Sequence, residues 1–299
     1  MAFFAEAETL RLGAAPFDIV ARRLGAGPPV LLLHGFPETH LMWRDIAPRL
    51  AARFTLICPD LPGYGQSGCP PTDRAHAPYS KRAMAAALVS LMSDIGYQSF
   101  SVAGHDRGGR VAYRMALDHP DRIERLAVLD IVPTLDTWEA ADARFALAFW
   151  PWSLLAQPAP LPERLIAADP AAIIDAALSG WGSPPSSFGT DIRDAYIAAL
   201  SAPDHIHAIA EEYRAAAGID REHDRADRQA GRRIGAPLLA LWSQSGALAE
   251  WYEPDGGPLG IWRRWADQVA GRAVPGGHFF PEEHPAATAA ALADFFAAA

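Results

Sequence analysis

Asp106 lies inside Gly104-His105-Asp106-Arg107-Gly108-Gly109-Arg110, directly after the apolar run 100–103. A buried strand that enters Gly-x-Asp-x-Gly and continues into a helical pattern is the setting of a nucleophile held on a sharp turn. Gly104 and Gly108 are small where neighbouring backbone comes close. A free aspartate titrates at about 3.9, so this carboxylate is ionised at neutral pH. It can displace halide, or the oxygen of a strained epoxide, from a saturated carbon and so leave an alkyl ester on the protein. The plainer alternative is a glycine-rich loop in which Asp106 caps the next helix.

Such an ester needs a base, an orienting acid and donors for an oxyanion. His278, in Gly276-Gly277-His278-Phe279, falls late among the chain's ten histidines, directly after the last strand and before the last helix. It is the expected base, in the order nucleophile, acid, histidine. Asp130 ends the strand that follows the nucleophile and is the expected partner of its imidazole. The other usual position for that acid reads Ser243-Gln244-Ser245-Gly246 and offers none. For Asp130 the alternative is a capping or loop salt-bridge role. His34-Gly35-Phe36-Pro37 follows the run 30–33, and the amides of Phe36 and Arg107 are the expected oxyanion hole. The His34 side chain reads as structural. Arg107 and Arg110, three apart on one helix face, are expected to hold a substrate carboxylate unless they pair with acids elsewhere.

These groups need a scaffold that brings distant segments together. Short apolar runs at 30–33, 56–58, 100–103 and 127–129 read as buried strands, with helical segments at 42–52, 81–95 and 109–118. That alternation implies an α/β protein with a mostly parallel sheet covered on both faces. From about 134 to 228 no strand run is found. This stretch, rich in Ala, Trp and Pro, reads as an inserted helical cap, with the core made of 1–133 and 229–299. A strand returns at 237–242, a short one is expected at 273–274, and a helix at 285–297 closes the chain. The charged run 220–233 reads as a solvated face. His205 and His207 read as surface or packing residues.

The 299 residues carry 26 basic and 35 acidic side chains, a formal charge of −9. That balance argues against nucleic acid and anionic membranes as partners. Lys81 is the sole lysine. The two cysteines, Cys58 and Cys69, read as free thiols. The segment 1–10 lacks a leader-like pattern and no run suits a membrane helix, so a cytoplasmic protein is expected.

Gly104 to Arg110, His34 to Glu38, Leu129 to Pro133, Leu155 to Glu163 and Gly277 to Glu283 together resemble the fluoroacetate (haloacetate) dehalogenases, over nearly the whole chain including the cap. The resemblance implies an α/β-hydrolase fold with an eight-stranded sheet. It implies hydrolysis of a 2-haloacetate to glycolate and halide without metal or organic cofactor, and commonly a homodimer. Asp106, His278 and Asp130 then form the triad, while Arg107 and Arg110 hold the carboxylate. The family's halide cradle pairs His and Trp and adds a Tyr. Here Pro151-Trp152 occupies the pair, Tyr213 matches the tyrosine, and Trp181 is a further candidate donor. The missing histidine implies defluorination that is weak relative to dechlorination. Packing alone is the alternative for Trp152 and Tyr213.

Two rival readings remain. An epoxide hydrolase would share the nucleophile and use two cap tyrosines, for which Tyr196 and Tyr213 are available, but Arg107 argues against a neutral substrate. A binding protein that kept the fold and lost the chemistry would form no ester.

Overall fold

The structure, a computed structural model, describes residues 4, 6–13 and 17–298. Part of the leader reading, at 1–3 and 5, therefore lies outside the described residues. Eight strands, β1 (Glu8–Leu12), β2 (Ile19–Gly25), β3 (Pro29–Leu33), β4 (Thr55–Pro59), β5 (Phe100–His105), β6 (Ile123–Leu129), β7 (Leu238–Ser243) and β8 (Val269–Val274), form one sheet. Their order is β1-β2-β4-β3-β5-β6-β7-β8. The first two pairings, β1 with β2 and β2 with β4, are antiparallel and the rest parallel.

The central strands were expected where they occur because strands buried on both faces read as unbroken apolar runs. On one face the sheet packs on helices Lys81–Asp94 and Asp106–Asp118, through Leu88, Met92, Val111 and Met115. On the other it packs on Trp43, Leu50 and the C-terminal helix Pro285–Ala297, through Leu292 and Phe296. The strands β1 and β2 were not foreseen, since charged side chains such as Glu8, Arg22 and Arg23 interrupt them. β8 begins earlier than the expected 273–274; its exposed edge carries Arg272 and masks the pattern. The helix expected at 42–52 is broken into a 3-10 turn, His40–Trp43, and one α-turn, Ala47–Leu50. Pro48 has no N–H to continue a ladder from residue 44.

Between β6 and β7 the chain is helical throughout, from Thr134–Glu139 to Ile219–Gln229. The charged run 220–233 corrects the solvated-face expectation. Asp220, Asp224 and Asp227 are buried, because their spacing puts them on one face of the helix. Asp220 accepts from Lys81 N at 2.8 Å. Asp224 accepts from the Tyr113 hydroxyl at 2.7 Å and from Leu135 N at 3.1 Å. Arg114 pairs with Asp227. The last helix of the insertion is thereby bolted to the helix that follows Asp106.

Candidate active site

Asp106 sits at the junction of β5 and the helix Asp106–Asp118 with φ +41°, a conformation that L-residues rarely adopt. The turn closes on tight backbone contacts. A Cβ on Gly104 would lie 2.4 Å from the Gly108 carbonyl carbon, and one on Gly108 would lie 2.4 Å from the His34 carbonyl oxygen. Both glycines are thus required by space. The Phe36 amide donates to Asp106 Oδ2 at 3.2 Å. The Arg107 amide lies in the first helical turn, where N–H groups lack intrahelical acceptors. Burial acts to raise the Asp106 carboxyl pKa, but His278, Arg107 and Arg110 outweigh it and hold the group below the usual carboxylate range.

Asp130, at the end of β6, also has a positive φ of +54°. Its Oδ2 lies 2.6 Å from His278 Nδ1 and its Oδ1 accepts from Ser243 N at 2.8 Å. This pairing fixes the imidazole by one nitrogen. Asp106, Asp130 and His278 together border an inner cavity of about 20 Å³. The loop of His278 is also held from above by the insertion: His278 N donates to Trp181 O at 2.8 Å and Phe279 N to Ser183 Oγ at 3.1 Å. His34 is structural as expected, accepting from Leu61 N at 2.9 Å.

The two guanidiniums have different environments. Arg110 borders the inner cavity and donates from Nη1 to Val132 O at 2.9 Å; its Nε is buried without a partner. Arg107 meets in part the alternative of pairing with an acid elsewhere. Its Nε lies 2.8 Å from each oxygen of Glu212 and its Nη2 lies 2.6 Å from Oε1, because the insertion drops this acid onto the elbow. Lys81 and the Tyr64 hydroxyl bind the same carboxylate. Arg107 Nη1 alone stays buried and unpartnered. Both guanidinium carbons lie over the Trp152 ring, at 5.0 and 4.4 Å.

Of the expected halide donors, Trp152 borders the inner cavity. Tyr213 meets it edge-on at 6.3 Å and lies under Arg107 at 4.0 Å. Trp181 is a correction: its indole N–H is spent on Ala148 O at 2.6 Å, so it has no donor left. The cavity also exposes Thr137, Phe149, Trp251 and Tyr252, none of which sequence reasoning identified. The helices that carry Trp251 and its neighbours, Ala247–Trp251 and Gly257–Trp265, were likewise unforeseen. The aromatic density of 251–252 was the available signal. Tyr196 points elsewhere, donating to Glu282 Oε1 at 3.1 Å.

Behind His278 lies a buried polar cluster. His105 contacts Glu38 Oε2 through Nδ1 at 2.9 Å and the His278 carbonyl through Nε2 at 2.9 Å. Burial opposes protonation of His105, but Glu38 prevails and lifts its pKa to about 9. Burial, and then the facing Glu38, push Glu282 up to about 8, although Arg44 also pairs with it. A proton shared by the two carboxyls would satisfy Glu38 Oε1, which is otherwise buried without a partner.

Among the described residues no group of three or more His, Cys, Asp or Glu could hold a metal ion. Among the described residues, likewise, no helix is long and apolar enough to cross a membrane. Both cysteines are free thiols.

A family model described as alpha/beta hydrolase fold matches residues 28–285. The chain is 42% identical over 275 residues to a fluoroacetate dehalogenase from Burkholderia sp, covering 91% of this chain and 88% of that one. It is 32% identical over 286 residues to a soluble epoxide hydrolase from Corynebacterium sp. (strain C12), covering 91% of each. A crystal structure of a putative alpha/beta hydrolase from Nostoc sp PCC 7120 superposes with a TM-score of 0.94 at 44% identity, covering 99% of this chain and 100% of that one. A variant of a putative epoxide hydrolase from Pseudomonas aeruginosa with bound MFA gives a TM-score of 0.90 at 42% identity, covering 97% and 96%.

Proposed function

This chain belongs to the α/β-hydrolase family as a haloacetate-dehalogenase-like member, and we propose that it hydrolyses the carbon–halogen bond of short 2-haloacids. The observation that carries the reading is that Asp106 and Arg110 border one small cavity. An anionic nucleophile beside a buried guanidinium suits a substrate that brings its own carboxylate.

In this reading an Asp106 oxygen attacks C2 of the haloacid, the C–O bond forms and the halide leaves with the bonding pair. His278, oriented by Asp130, takes a proton from water, which attacks Cγ of Asp106. The amides of Phe36 and Arg107 stabilise the oxyanion, and glycolate leaves. Residues 134–228 act as the cap. The buried, unpartnered Arg107 Nη1 and Arg110 Nε are the donors proposed for the carboxylate. Trp152 and Tyr213 receive the halide. Pro151 withholds one donor, so chloride and bromide leave more readily than fluoride. A homodimer and a cytoplasmic setting belong to the same reading.

The epoxide alternative needs two tyrosines over the nucleophile, and Tyr196 is occupied by Glu282. Halide release from chloroacetate and fluoroacetate, with Asp106→Ala as control, tests the proposal. Release from chloroacetate far above that from fluoroacetate, and absent in the variant, is the expected result. No release from either by a folded protein overturns it.

A further inference from the structure

Beside the inner cavity lies a second one of about 260 Å³, open at the junction of the insertion and the sheet. Of the residues that border the inner cavity, three also border the outer one: Asp130, Phe149 and His278. Two of these belong to the proposed triad. Phe149 is thus the partition that the chemistry does not itself need.

Its position is fixed by the chain on both sides. Phe149 ends the helix Ala143–Ala148 and precedes the helix Trp150–Leu155, at φ −103° and ψ 50°. Pro151 in the first turn of the second helix supplies no N–H that could continue the first. Phe149 N still donates to Phe145 O at 2.8 Å. The ring is held by Trp251 at 5.1 Å, by Trp181 stacked at 5.9 Å, and by the His278 imidazole at 6.3 Å. It therefore stands as a wall within an aromatic cluster.

We propose that Phe149 sets which 2-haloacids are accepted, by closing the space into which a substituent at C2 would extend. The inference rests on the haloacid reading above. Displacement at C2 engages three groups: the Asp106 oxygen, the departing halide opposite it, and the carboxylate toward Arg110. Two hydrogens remain. At about 20 Å³ the inner cavity is far smaller than the outer one, so a longer alkyl group in place of either hydrogen would have to reach beyond the ring for room. The outer cavity has the volume, and the Phe149 ring separates the two. Removing the ring joins them for one of the two C2 positions only. A single enantiomer of a 2-substituted acid then fits, and its reaction gives the 2-hydroxy acid of inverted configuration. The bonding balance is unchanged: Asp106 O–C2 forms, C2–halogen breaks, and water returns the carboxylate.

The test compares chloroacetate with racemic 2-chlorobutanoate for the wild type, Phe149→Ala and Phe149→Leu. The expected result is a rise of roughly 10-fold to 100-fold in the kcat/KM ratio of 2-chlorobutanoate to chloroacetate for Phe149→Ala, with a smaller rise for Phe149→Leu. One enantiomer should be left over. Refilling the outer cavity with Ala247→Phe in the Phe149→Ala background should cancel the gain. An unchanged ratio in both single variants while chloroacetate is still turned over overturns the inference. A wild type that releases no halide from chloroacetate overturns the underlying reading instead. If Phe149→Ala fails to fold, the ratio for Phe149→Leu decides.

Discussion

Glu212 grips Arg107 with both oxygens, 2.8 Å from Nε and as near as 2.6 Å from Nη2, and neither side chain meets solvent. The guanidinium beside Asp106 is therefore oriented from the insertion. Removing one partner of a buried pair costs on the order of 3–5 kcal/mol, because the other charge is left without compensation. Lys81, also on this carboxylate, loses a partner as well. Glu212→Gln should lower stability in urea melts and cut kcat/KM for chloroacetate by roughly 10-fold or more. Uncharged chloroacetamide should suffer less. Equal losses for both substrates would show that the pair only supports the fold.

The proposed halide site makes opposed forecasts for two tryptophans. Trp152 borders the inner cavity, whereas the Trp181 N–H is bound to Ala148 O. Trp152→Phe should slow halide release by roughly 10-fold or more. Trp181→Phe should have a much smaller effect. The reverse order would move the halide to the outer cavity. Pro151→His should raise the ratio of fluoride to chloride release, measured by ion-selective electrode; a fall in that ratio would remove Pro151 from the account.

Without its base, the ester should persist. In His278→Asn the nucleophile and the Phe36 amide are retained, so chloroacetate should load one carboxymethyl group onto Asp106. Intact mass and peptide mapping read this directly. Absence of the adduct, with chloride release also absent, would favour a binding protein.

The cluster behind His278 predicts how stability varies with pH. His105 is raised from 6.5 to about 9, and Glu282 from 4.5 to about 8. Each binds its proton more tightly when folded. The His105 contribution is complete below about pH 6.5 and is lost as pH rises through 9; that of Glu282 is complete below about 4.5 and is lost by about 8. Thermal stability should therefore decline between pH 6 and 9. Glu282→Gln keeps an amide toward Glu38 and Arg44 while removing one titration. Its Tm should change less over that range and exceed the wild type's at pH 9. A parallel decline in both proteins would assign the effect elsewhere.

The sequence made the centre of the sheet and the elbow legible, since buried parallel strands are apolar runs closed by Gly, Pro or Asp. It also indicated His278 and Asp130, whose order along the chain follows the strand order, and these meet at 2.6 Å. It could not show Glu212 on Arg107, because the contact spans 105 residues and depends on how the insertion lands. Trp181 was misread for a similar reason: an indole N–H reads as available until its carbonyl acceptor is seen. The acids of 220–233 looked solvated because their partners, Lys81, Tyr113 and Arg114, lie far off in the chain.

Asp224 joins Tyr113 on the helix Asp106–Asp118 to Leu135, at the start of the insertion, from the insertion's last helix. The segment therefore departs from the sheet and returns to it beside one common anchor. In engineering terms it is a cassette whose two ends share one mounting point. A foreign helical segment exchanged into the scaffold would have to reproduce this anchor and also the contacts of Trp181, Ser183 and Glu212 on the His278 loop and Arg107.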